Sequence, residues 1–173
     1  MVAVAQIPTA ALAVLVSLGV GSIASAQASQ PGTIDSSIQI QVTDARWLAL
    51  KKLRSARCRG IFGDFEDLDG QRLDRVLTTM NETAEGRLQR LNFRDGSKTS
   101  TCSKPGVFAF TSPGSLTIFV CPAFARIARQ EHSAGATILL HEELHSLGAG
   151  EAPMAGLLSA EEITARIERR CGR

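Results

Sequence analysis

The residues best equipped for chemistry fall together at 138–151, which reads Ile138-Leu139-Leu140-His141-Glu142-Glu143-Leu144-His145-Ser146-Leu147-Gly148-Ala149-Gly150-Glu151. Two of the chain's three histidines lie here, four residues apart, and the chain has no tyrosine. On a helix, positions i and i+4 stack on one face, so His141 and His145 can reach a single Zn²⁺ at about 2.0–2.1 Å. Glu142 is rotated about 100° from His141, beside such an ion rather than on it. That is the place for a general base: zinc lowers the pKa of a water towards 7, and the carboxylate takes its proton as the oxygen attacks a carbonyl. Ile138, Leu139, Leu140, Leu144 and Leu147 make the segment a buried helix, with Ser133 as N-cap and Gly148 as stop. Two buried imidazoles without partners would be costly, which favours a metal over a purely apolar setting.

The H-E-x-x-H pattern resembles the zincin metallopeptidases, whose shared mark is this active-site helix. In the metzincin branch the motif runs on to H-E-x-x-H-x-x-G-x-x-H or D, the glycine turning the chain so that a third ligand returns to the metal. Here His141, Glu142, His145 and Gly148 match, and Glu151 stands at the third-ligand position, where those families carry another residue. A gluzincin-like arrangement would instead take the third ligand from a later helix, at Glu161 or Glu162. Ser159-Ala160-Glu161-Glu162 reads as a capping box that already employs Glu162, so Glu151 is preferred. The resemblance implies a zinc metalloendopeptidase with Glu142 as catalytic base. With no tyrosine to face the oxyanion of a tetrahedral intermediate, His132, Arg166 or Arg169, a backbone N–H or the metal itself must do so. Met154 is read as core packing rather than as a methionine turn.

The elements that must position this helix are legible in outline. Residues 29–43 read as a flexible lead-in, with Ile38, Ile40 and Val42 alternating as a short strand or arm. Asp44 is placed to cap a helix with Trp47, Leu48, Leu50 and Leu53 on its apolar face. The glycine-punctuated acidic segment 60–70 reads as a loop, and one core helix is expected over 72–91, from Leu73, Val76, Leu77, Met80, Ala84, Leu88 and Leu91. Residues 106–111 and 115–120 flank the turn Ser112-Pro113-Gly114-Ser115 as a hairpin. The expectation is a small α+β, zincin-like domain over 44–173, with a compact antiparallel sheet or hairpin whose edge could hold an extended peptide.

The charge distribution bears on where the chain works. All 19 Lys and Arg and all 17 Asp and Glu lie beyond residue 28 of the 173. Residues 1–28 carry an apolar run and end in small residues with A-x-A-like cleavage sites, the pattern of a signal peptide; cleavage leaves roughly 145 residues, secreted or periplasmic. Cys58, Cys102, Cys121 and Cys171 lack metal-type spacing, and in an exported chain an even count favours two disulfides. Three connectivities are possible. The hairpin favours Cys102 with Cys121, which leaves Cys58 with Cys171. The net charge of +2 and the lack of a basic stripe argue against nucleic acid as partner. The expected partner is a peptide or protein substrate, with the mature chain a monomer free of the membrane. The competing reading is a non-catalytic, disulfide-stabilised exported binding domain, its metal structural or missing; a fourth protein ligand, from Glu161, Glu162 or His132, would mark it.

Overall fold

The carboxylate of Asp35 accepts the Ser37 N–H at 2.8 Å and starts the first helix, α1 (Ser36–Leu53). In this computed structural model residues 34–172 are described; the expected signal peptide, 1–28, lies outside the described residues. The helix buries Ile38, Val42, Ala45, Ala49 and Leu53, spaced three or four apart as one helical face. The strand or arm expected at 38–42 and the cap expected at Asp44 are therefore corrected. Alternation over five residues coincides with the first turns of a helical stripe, and Ile40 is the member left outside. Trp47 is also corrected: it is 63% exposed, with the Lys51 ammonium 5.3 Å above its ring.

Short helices follow. A single turn, α2 (Ala56–Arg59), runs into a 3-10 turn, Gly60–Gly63, in the segment expected to be loop. The single helix expected over 72–91 is two, α3 (Leu73–Thr79) and α4 (Ala84–Arg90). They part at Asn81, whose φ is 53°, and Thr83 restarts the helix by accepting the Gly86 N–H. Apolar period carries across the break because both helices bury the same side, so the period alone did not reveal it. Arg46 of α1 donates to the Leu88 and Leu91 carbonyls, satisfying acceptors that the end of α4 leaves open.

The sheet is mixed rather than a plain hairpin. Strand β1 (Asn92–Asp95) runs parallel to β3 (Thr117–Val120), and β2 (Ala109–Phe110) pairs antiparallel with β3, in the order β1-β3-β2. The expected antiparallel pair is present but shorter, with Ala109 opposite Val120 and Phe110 opposite Phe119. The four residues of β1 are too few to show a period in the sequence. Cys121 leads from β3 into α5 (Pro122–Gln130), and Glu131 alone separates α5 from α6 (His132–Ser146). The last helix, α7 (Ala160–Cys171), begins with the expected capping box between Ser159 and Glu162.

α6 is the central element, packed against α1, α5, α7, α4 and β2. Its contact with α1 and α5 is close because Gly135 has no side chain: a Cβ there would lie 2.9 Å from that of Ala128 and 3.1 Å from that of Ala45. Cys58 is joined to Cys171 and Cys102 to Cys121, the pairing expected from the sequence. No helix among the described residues is long and apolar enough to cross a membrane.

The two disulfides close loops of very different length, 113 and 19 residues. Loop-closure entropy then predicts that the double variant C58S/C171S loses about 5 kcal/mol of stability and C102S/C121S about 3 kcal/mol. Urea unfolding of the two variants beside the parent checks this; equal losses would contradict it.

Candidate active site

α6 turns one face, carrying His141 and His145, towards α7 and the segment that follows the helix. Both imidazoles are 8% exposed. Their inner nitrogens converge: Nε2 of His141 is 3.0 Å from Nε2 of His145, and Oε2 of Glu151 lies 3.0 Å from the first and 3.3 Å from the second. Among the described residues these three form the group able to hold a metal ion. Donors about 2.0–2.1 Å from a tetrahedral ion stand about 3.3 Å apart, so the triangle has the right size. Its two neutral nitrogens and one carboxylate are also a donor set that zinc accepts.

The outer nitrogens are held as well. Nδ1 of His145 donates to the Ala149 carbonyl at 2.8 Å, which places the lone pair of a neutral ring on Nε2. Nδ1 of His141 is 3.1 Å from Oγ1 of Thr164 on α7.

Glu151 reaches the histidines because the helix ends on a Schellman turn. The Gly148 N–H donates to the His145 carbonyl and the Ala149 N–H to the Leu144 carbonyl. Gly148 takes φ 108°, and a Cβ there would meet the Asp67 Cβ at 2.9 Å, so glycine fits on both counts. The glycine stop expected from the sequence is thus the device that returns a carboxylate to the face of the two histidines. The Ser133 cap is corrected: Glu131 precedes the first helical residue, and the Ser133 hydroxyl is buried without a partner.

Electrostatics follow from this packing. Hydrogen bonds from His141 and His145 pull the Glu151 carboxyl down to about 2. Burial lowers the His141 pKa, and the charge of His145 adds to that. Burial acts the same way on His145, but hydrogen bonds to Glu151 and Ala149 outweigh it and its pKa rises. Glu142 is 5% exposed and its Oε2 has no hydrogen-bond partner. Burial pushes its pKa up to about 7, opposed by His145 and by a backbone hydrogen bond from Thr111, just beyond β2. The turn at 112–115 docks on the end of α6 through the Gly114 N–H, which donates to the His145 carbonyl at 2.9 Å.

The remaining expected residues lie elsewhere. His132 is exposed at the start of α6, nine positions before His141 and so about 13 Å away along the axis. Glu162 accepts the Ser159 N–H at 2.8 Å in the capping box, and Glu161 beside it is exposed. Arg166 donates to the Asp64 carbonyl and lies 5.6 Å over the Phe65 ring. The Arg169 carbonyl accepts from Arg57. Met154, read as core, is 53% exposed, because the segment after Gly150 stays on the surface.

Three groups escaped the sequence reading: Thr164, the Ala149 carbonyl and Arg87. Arg87, 4% exposed on α4, donates to the Ser146 hydroxyl at 3.1 Å and to the Ser146 carbonyl, next to His145 in the last turn of α6. Only the capping-box helix at 159–171, with its apolar Ile163 and Ile167, hinted that a further helix would cover the site. Nothing in the sequence marked Thr164 itself.

No curated protein and no solved structure matches the chain. A family profile does, over residues 54–152, a stretch that takes in the histidine pair, Glu142 and Glu151 and ends before α7. That profile is of the aspzincins, described as lysine-specific metallo-endopeptidase, and the chain belongs to this zincin-like metallopeptidase family.

Proposed function

We propose that the chain is an exported zinc-dependent endopeptidase in which His141, His145 and Glu151 hold the metal and Glu142 is the general base. The observation that carries the reading is the buried triangle of two Nε2 atoms and one carboxylate oxygen, 3.0–3.3 Å on each edge, with both outer nitrogens hydrogen-bonded. Three protein ligands, rather than four, suit a catalytic site that keeps one position open. The binding-domain alternative needs a fourth ligand; His132 is remote, Glu162 is committed to its cap, and Glu161 is exposed and outside the group whose ligand atoms converge. Two disulfides and a charge-free first 28 residues support export.

When bound, zinc supplies a Lewis acid that polarises a carbonyl and makes water a nucleophile near neutral pH. The protein's own residues manage the protons. Oε2 of Glu142, buried and unpartnered, takes one from the attacking water and hands it to the departing amine. β2 is an edge strand of the sheet, and an extended peptide is placed along its outer main-chain groups, next to Thr111. With His132 at the far end of α6 and Arg166 engaged by Asp64 and Phe65, neither supplies an oxyanion donor. The family's description extends to this chain as a preference for bonds next to lysine. Glu161 supports it: the carboxylate is exposed in the first turn of α7 and its negative charge is felt at His141, so a cationic side chain would be attracted there.

The purified chain should carry about one zinc ion and cleave a mixed peptide library next to lysine, losing activity to a chelator and regaining it with added zinc. A folded chain free of zinc, with no chelator-sensitive cleavage, would overturn the reading. E142Q should keep its zinc while kcat falls by about 10²–10⁴-fold. E151A should lose zinc where E162A keeps it, as metal analysis after dialysis would show; zinc lost from E162A alone would move the third ligand to α7.

A further inference from the structure

We propose that Thr164 on α7 is a positioning residue for the metal ligand His141, accepting its Nδ1–H and thereby fixing the tautomer whose Nε2 faces the ion. The inference rests on the metal site set out above but concerns a residue beyond the stretch that the family profile matches. A neutral imidazole carries one proton, and a ligand nitrogen must be the one without it. For His141 the proton must then sit on Nδ1, where burial makes an unpaired N–H costly. The Thr164 hydroxyl stands 3.1 Å from it.

The two histidines differ in what holds them. His145 is anchored by the Ala149 carbonyl, a main-chain group that no substitution removes. His141 depends on one hydroxyl from another helix. The position of that hydroxyl is set by the way α7 is fastened. Ile163 and Ile167, both within 1% of fully buried, bring one face of α7 onto the core, and Thr164 follows directly after the first of them. At the far end Cys171 is bonded to Cys58, Lys52 donates to the Gly172 carbonyl, and Arg170 pairs with Asp64 at 2.6 Å. The C-terminal helix is therefore part of the metal centre although it contributes no ligand.

The test is zinc affinity of the full chain by chelator competition, with the unfolding midpoint of the metal-free chain and the His141 tautomer by nitrogen NMR recorded beside it. T164V and T164A remove the hydroxyl; T164A also favours the helix, so that loss of fold cannot stand in for loss of the hydrogen bond. Both should weaken zinc binding by about 10–100-fold, with the metal-free unfolding midpoint retained and the His141 proton no longer confined to Nδ1. T164S, which keeps the hydroxyl, should restore wild-type affinity. Unchanged affinity in T164V and T164A, or a T164S as weak as they are, would overturn the proposal while leaving the function reading in place. A wild-type chain that binds no zinc would overturn both.

Discussion

Within five consecutive residues α6 buries four ionisable side chains, those of His141, Glu142, Glu143 and His145, each no more than 8% exposed. Withdrawing such groups from water costs several kcal/mol apiece unless partners replace the lost hydration. The rest of the domain is arranged around that requirement. His141 and His145 face each other, Glu151, Thr164 and the Ala149 carbonyl. Glu142 faces the end of β2, where the Thr111 backbone partly compensates it. Glu143, rotated to the opposite side, faces α4, and both its oxygens lack hydrogen-bond partners. Burial pushes its pKa well up, the Glu85 charge adds to this, and Arg87 works against both.

The turn after the helix solves several parts of this problem in one stretch of backbone. Gly148 lets the Leu144 and His145 carbonyls be satisfied, leaves the Ala149 carbonyl pointing at His145, and sends the chain back so that Glu151 closes the triangle. The acidic loop at 66–72 holds this turn from outside. The Leu68 N–H donates to the Gly148 carbonyl, and Asp67 bridges Ala149. Asp67 is itself fixed, its carboxylate accepting the Asp69 and Gln71 N–H groups. The Asp67 carboxylate is thus engaged by the loop's own backbone.

What the sequence disclosed and what it withheld divide along a physical line. The histidine pair, Glu142, the glycine stop, the Ser159 capping box and both disulfides were legible, because each is a local pattern or a count. Helix spacing fixes which side chains share a face, and a capping box or a glycine turn needs only residues within reach of one another along the chain. Glu151 was legible for the same reason, six residues past His145. Thr164, Arg87 and the pairing of β1 with β3 depend on contacts between distant segments, and no short window contains them. The misread elements share a further cause. At Ile38, Ile40 and Val42 two periods agree over five residues, and at 72–91 one apolar stripe spans two helices. Such windows record which residues are buried but not the chain direction that buries them.

Contacts between distant segments also hold the site in place. From behind, Arg87 on α4 grips the last turn of α6 through the Ser146 hydroxyl and carbonyl, and Glu82 pairs with Arg87 at 3.5 Å. From the front, α7 presents Thr164 to His141, and its far end is bonded to Cys58. From the end, the turn at 112–115 and the loop at 66–72 dock on either side of the Schellman turn. A helix fixed on three sides cannot rotate its imidazoles without breaking hydrogen bonds in at least one of these contacts. The donor triangle is therefore already at about the size that a tetrahedral ion requires. For the proposed metal site, little reorganisation would be left to oppose binding, which is where preorganised sites gain affinity. The chain tolerates four buried ionisable groups because their compensation comes from four different segments, and that same compensation gives the donor atoms of His141, His145 and Glu151 one geometry.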